Sequence, residues 1–317
     1  MRAADLTEPL DRYLALRRAL GFSMRVQERL LRDFVEYVNQ RESVGPIRAE
    51  LAVQWACVTA SRRSPGGQAN RLSLVRGFLT YLRALDQETE VPPHHLLSKA
   101  TRPLPHIYST QEITALLAAA RQLGPRDSLR PHTTATLIGL VASCGLRIQE
   151  AIGLQLQDVA LDGHPPVLQI QQTKFRKSRL VPLHPSTVEQ LRTYAQLRRQ
   201  MGYDGLCDFF FVSERAGPLA YHTIAGTFVG LARRLGIRGP KGQRGAHLHD
   251  LRHTFAVTRL LRWYEEGADV RARLPELSVY LGHVQPQQTY WYLSATPALL
   301  QIAGSRFESF VASGGRP

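Results

Sequence analysis

Apolar and polar positions alternate at helical spacing from the first residues onward. Over 5–40, Leu10, Tyr13, Leu14, Leu16 and Leu20, then Leu30, Leu31, Phe34, Val35 and Val38, define two amphipathic helices separated by Gly21. Two further helices are predicted over 47–60 and 68–85, parted by a loop at Ser61–Gly67. Residues 91–107 carry Pro92, Pro93, Pro103 and Pro105, cannot continue a helix, and read as a linker. Beyond it, Ser109-x-x-Glu112 is a capping-box start ahead of Ile113, Leu116 and Leu117. A buried-looking helix over 132–143 ends at Gly145, and a short helix with Arg147 in its first turn follows. Val167–Gln172 and Arg179–Leu183 read as two strands joined by the basic turn Thr173–Ser178. The remainder to about 310 is mostly helical, cut into short pieces at Pro275, Gly282 and Pro286, and the Gly-rich end 313–317 is expected to be a flexible tail. The expected class is therefore mainly α with a small β-sheet (α+β).

Composition narrows the function. The 317 residues suffice for two ordinary domains, and 44% hydrophobic with 21% charged residues is a globular balance. No signal-peptide pattern opens the chain and no run approaches the ~20 apolar residues of a membrane span, so a cytoplasmic, non-membrane protein is expected. Cys57, Cys144 and Cys207 form no CxxC pair and give no disulfide framework. The His247/His249 pair has no accompanying carboxylate or cysteine cluster, so neither a metal nor another cofactor is expected. The formal charge of +14 is spread along the chain: 16 Lys and Arg against 11 Asp and Glu in 1–103, and 24 against 15 in 104–317. A spread excess favours an extended polyanion-binding surface over a basic tail.

Four polar islands interrupt apolar stretches. In Ser143–Glu150, Arg147 and Glu150 are three apart, so the carboxylate can orient the guanidinium, although a routine surface pair has the same spacing. The turn 173–178 holds Lys174 and Lys177; a lysine there can swing over a ligand and offer a proton, but a solvated turn is the default for any lysine at a hairpin tip. In His247–Phe255, His249, Arg252 and His253 share one helical face. Imidazoles and a guanidinium make a poor core and a good phosphate site. The last island, Leu281-Gly282-His283 and then Tyr290-Trp291-Tyr292, taken alone is as well explained by core packing.

The ordered set (Gly145-Leu146-Arg147 with Glu150, a hairpin lysine, His249-x-x-Arg252-His253, Leu281-Gly282-His283, and a tyrosine nine residues on) resembles the tyrosine recombinase family of phage integrases, Xer resolvases and integron integrases. The resemblance spans nearly the whole chain. It implies a helical core-binding (SAM-like) DNA-binding domain over 1–90, a linker over 91–107 and a catalytic domain over 108–312, closing as a clamp around the duplex. By position, Arg147 and Arg252 would clamp the scissile phosphate, His249 would act as acid or base near the nucleophile, and His283 would donate to the phosphate. Lys174, with Lys177 as the alternative, would protonate the departing 5′ oxygen, and Glu150 would support the pocket. Tyr292 would attack phosphorus to give a 3′-phosphotyrosyl link without ATP or metal. Tyr290 is its rival, but residues two apart on a helix point about 200° from each other, and the family spacing selects Tyr292. The implied partners are double-stranded DNA at a specific site, a homotetramer on synapsed DNA, and sister recombinases as further candidates. The competing expectations are a catalytically inactive DNA-binding accessory protein and a type IB topoisomerase. The ending Thr289–Ser294 has a weaker resemblance to recombinases of transposable elements.

Overall fold

A computed structural model describes residues 6–41, 46–58, 65–97, 104–171, 178–283 and 285–295, with single positions at 304, 308 and 311. The chain divides into two compact units, Met1–Pro103 and Leu104–Pro317.

The first unit is four helices, α1 (Thr7–Ala19), α2 (Arg25–Asn39), α3 (Ala49–Val58) and α4 (Pro65–Arg83). Their apolar stripes meet in one core that includes Leu10, Leu14, Phe34, Trp55, Leu72 and Phe78. α4 begins at Pro65, inside the stretch expected to be loop. Proline is suited to a first helical turn, where its missing N–H would have no partner in any case. Two arginines of α4 are buried. Arg71 lies 3.7 Å over the Trp55 ring and donates to Asp33 at 3.2 Å. Arg76 donates to the carbonyls of Pro92 and Pro93 at 2.8 and 2.9 Å, and Val91 and Leu97 pack on the same core. The early part of the expected linker is thus tied to the helical unit.

The second unit opens with α5 (Thr110–Arg121), whose Ser109 and Glu112 make both capping-box hydrogen bonds. α6 (Arg130–Cys144) is buried along most of its length and packs against α5, α8 (Pro185–Gln200) and α10 (Asp250–Glu265). After the short α7 (Ile148–Ile152) comes an antiparallel sheet in the order β1 (Val159–Ala160), β2 (Val167–Ile170), β3 (Arg179–Pro182). The pairs Leu168 with Val181 and Ile170 with Arg179 set the β2–β3 register. β1 was not anticipated; two residues are too short for an alternating pattern. α9 (Tyr221–Arg234) completes the main core. A smaller cluster joins α10, α11 (Val270–Leu281) and α12 (Gln287–Ala295) through Leu260, Leu274, Leu281 and Tyr292.

Pro275 does not divide the chain as expected but sits inside α11. It costs one backbone hydrogen bond. Burial of Val270, Leu274, Leu277 and Leu281 on one face holds the helix through it. No helix among the described residues is long and apolar enough to cross a membrane. The mainly helical, small-sheet class expected from the pattern is the one observed.

Candidate active site

The pocket is assembled around the C-terminal end of α11. A helix end leaves its last carbonyls without intrahelical partners, and the macrodipole makes that end partially negative. Three arginines from three separate parts of the chain use consecutive carbonyls here. Arg179 Nε donates to Tyr280 O at 2.8 Å, Arg252 Nη2 to Leu281 O at 2.6 Å, and Arg147 Nη2 to Gly282 O at 2.8 Å. Gly282 caps the helix at φ +66, and a Cβ there would stand 2.7 Å from the Arg179 guanidinium, so the close approach needs glycine.

Arg147 is the N-cap of α7, two residues past Gly145, the left-handed cap of α6 at φ +61. A side chain on Gly145 would overlap the Phe255 ring. The Gly145 carbonyl accepts from Arg252 Nη1 at 2.7 Å, so one guanidinium bridges the ends of α6 and α11.

Glu150 binds two of these cations. Its Oε1 accepts from Arg147 Nη1 at 2.8 Å, and its two oxygens accept from Arg179 at 3.1 and 2.8 Å. The backbone N–H of Arg147 adds a bond at 3.0 Å. Burial pushes the Glu150 carboxyl up, but Arg179, then the backbone and side chain of Arg147, outweigh it and hold it at about 2. Arg252, only 1% exposed, is also lowered, from the usual arginine value to about 10, but this weakens its charged form. Burial is the main cause and the Arg147 charge adds to it, against the opposing influence of Tyr292 and Glu150. The site therefore concentrates positive charge that one carboxylate only partly offsets. An incoming phosphate would relieve that excess, and the Arg147 side chain is one-third exposed to meet it.

Tyr292 lies beside this cluster, 2% exposed. Its hydroxyl is 2.9 Å from His253 Nδ1, and its ring stacks on His283 at 6.3 Å and 19°. His283 is held by Thr289, whose Oγ1 lies 2.7 Å from Nδ1. His249, at the N-cap of α10, presents its ring at 4.7 Å and 85° to His253. Tyr290 is 50% exposed.

The structure thus brings Arg147, Glu150, Arg252, His283 and Tyr292 together, with His249 behind His253. Lys174 and Lys177 lie outside the described residues. Sequence reasoning gave no role to Arg179, Thr289 or His253. Arg179 shares the face of Val181 on β3, and a charged residue on an inward strand face was an available signal. Thr289 is three residues before Tyr292, on the same helical face. His253 was visible on the face of His249 and Arg252, but nothing in the spacing tied it to a residue 39 positions away.

The second unit is thus mainly helical, with an arginine-lined pocket beside a buried tyrosine, the arrangement that the resemblance to the tyrosine recombinases implies. The phage integrase family profile matches residues 107–298, and the chain belongs to that family, the tyrosine recombinases. It is 41% identical over 306 residues to the putative integrase/recombinase y4rB of Sinorhizobium fredii (strain NBRC 101917 / NGR234), covering 95% of this chain and 96% of that one. Its fold is similar to that of the XerH site-specific recombinase bound to palindromic difH substrate in a post-cleavage complex (TM-score 0.66, 18% identity, 89% of this chain and 80% of that one). A lambda integrase tetramer bound to a Holliday junction is a further structural neighbour (TM-score 0.61, 15% identity, 90% and 79%). The chain is accordingly an enzyme of site-specific recombination, of a family that cleaves and rejoins DNA strands.

Proposed function

We propose that the second unit cuts one strand of a specific duplex site with Tyr292, holds the DNA as a 3′-phosphotyrosyl ester, and rejoins it to a new 5′ hydroxyl during integration or transposition. The observation that carries the reading is the placement of the Tyr292 hydroxyl among His253, His283 and Arg252 while Tyr290 faces solvent. A phenol of pKa ~10 needs such cationic and hydrogen-bonding neighbours to become a nucleophile at neutral pH.

In this reading Arg147 and Arg252 neutralise the charge that grows on the non-bridging oxygens in the transition state. His249 acts near the nucleophile by way of the His253 ring that it faces, His283 donates to the phosphate with its ring fixed by Thr289, and Glu150 keeps Arg147 aimed. Lys174, or Lys177, protonates the leaving oxygen. The helical unit contributes the rest of the DNA surface, residues 91–107 connect it, and four protomers act together on synapsed DNA in the cytoplasm. Support for that assembly comes from the lambda integrase tetramer on a Holliday junction.

The test is a pool of nicked suicide duplexes tiled across the DNA flanking the coding region, scored for covalent protein–DNA adducts. Wild type and Tyr290→Phe should form adducts. Tyr292→Phe should form none while still shifting the duplex in a gel. Adducts that survive in Tyr292→Phe and vanish in Tyr290→Phe would reverse the assignment. Relaxation of any supercoiled plasmid without site preference would instead favour a topoisomerase.

A further inference from the structure

The hydroxyl proposed as nucleophile is hydrogen-bonded to a residue that the family resemblance leaves without a role. We infer that His253 is the base that takes the phenolic proton of Tyr292 during strand cleavage and returns it during rejoining. The inference rests on the reading of Tyr292 given above.

Four features carry it. The Nδ1–Oη distance of 2.9 Å is that of a formed hydrogen bond. Both residues are buried, so water does not compete for either atom and the proton has a direct path. The imidazole cannot easily swing away. It sits between the Trp291 ring at 5.5 Å and the His249 ring at 4.7 Å, one turn into a helix fixed by the bonds of Arg252. Finally, Arg147 and Arg252 already crowd the pocket with positive charge, which disfavours a third cation beside them. The titratable and charged groups around His253 are His249 and Arg252 from its own segment and Tyr292 from α12. Across the tyrosine ring stands His283, beyond the end of α11.

The step balances as follows. Tyr292 Oη forms a bond to phosphorus while its O–H proton passes to His253 Nδ1. The bond from phosphorus to the 5′ oxygen breaks, and that oxygen leaves with a proton from the acid on the leaving side, assigned above to Lys174 or Lys177. In rejoining, the 5′ oxygen bonds to phosphorus while its proton returns to that lysine, the bond from phosphorus to Tyr292 Oη breaks, and the phenol departs with the proton held on the imidazolium. One group thus serves as base and then acid, as microscopic reversibility requires.

A suicide duplex chosen for forming adducts with wild type allows single-turnover cleavage to be timed across pH. Wild-type cleavage should slow below about pH 6.5, where an imidazole protonates. His253→Asn keeps an oxygen acceptor near the Nδ1 position but no base. Its adduct formation should fall roughly 10²- to 10⁴-fold with DNA binding unchanged. Its acidic limb should disappear, the rate climbing with pH toward the phenol range near ~10. His249→Asn should retain the acidic limb. A His253→Asn rate equal to wild type, or a slow rate with the limb intact, would overturn the inference; the latter is what a purely structural role gives. Should His253→Asn fail to bind DNA, the ¹⁵N spectrum of histidine-labelled wild type and Tyr292→Phe decides. Loss of the phenol should shift the Nδ1 resonance of His253, and an unmoved resonance would overturn the inference. Adducts persisting in Tyr292→Phe would sink the nucleophile assignment itself. Their absence, combined with unimpaired His253→Asn, would sink this inference alone.

Discussion

Among single residues, Glu150 has the most measurable consequence. Its carboxyl is held at about 2 in the folded chain against an ordinary value of 4.5. A carboxyl whose folded pKa is lowered contributes stability that is complete above the unfolded value and is lost as pH falls through the folded one. Urea unfolding of wild type should therefore weaken between about pH 5 and pH 2, by about 3 kcal/mol from this group. Glu150→Gln should be less stable than wild type at pH 7 and converge with it toward pH 2. A difference independent of pH would show that the carboxylate charge is not what matters. The local part of this arrangement was legible, because Arg147 and Glu150 are three apart on one helix. Arg179 was not, since its 29-residue separation from Glu150 is closed only by the sheet. The same holds for His253 and Tyr292. A linear pattern reports helical faces, not which faces meet.

Elements show the complementary balance. The helices of both units were readable because each repeats apolar residues at the helical period, and α6 because Leu137, Ile138, Leu140 and Val141 follow one another with no charged residue between them. The failures have physical causes: β1 is too short to carry a period, Pro65 starts a helix instead of ending a loop, and packing overrides Pro275 in α11. Glycines in α6 and at its cap allow a paired test. Gly139 lies within the helix, and an added Cβ would meet Leu117 at an ordinary 3.7 Å. Gly139→Ala should raise stability by about 0.5–1 kcal/mol, by limiting the unfolded chain and filling a shallow space. Gly145→Ala should lower stability by more than ~1 kcal/mol, because φ +61 is strained for alanine and the Phe255 ring stands in its way. Thermal unfolding of the two variants should move the midpoint in opposite directions; a shared sign would contradict the cap geometry.

At the scale of the molecule, the +14 charge divided over both units predicts DNA binding that is mostly electrostatic in origin. Affinity should fall about 10³-fold or more between about 50 and 200 mM salt if six or more phosphates are contacted. A shallow dependence would mean that the basic residues face elsewhere. The charge excess was plain in the sequence, and so was the mainly helical plan with its small sheet. The carbonyl cluster at the end of α11 was not, because backbone atoms have no signature in a residue pattern. That cluster also bears on how the protein tolerates change. Three arginines are aimed by atoms that every amino acid possesses, so the anchor itself is indifferent to the side chains at 280 and 281. In a saturation library, those positions should be constrained only by packing: Tyr280 against Phe255, Leu281 within the small core. Position 282 should accept glycine alone. The arginines should each be irreplaceable by lysine, whose donors all sit on one nitrogen and cannot span from the carbonyl to a neighbouring partner as the planar guanidinium does. A pocket aligned in this way can diverge around its edges while its charges stay in register.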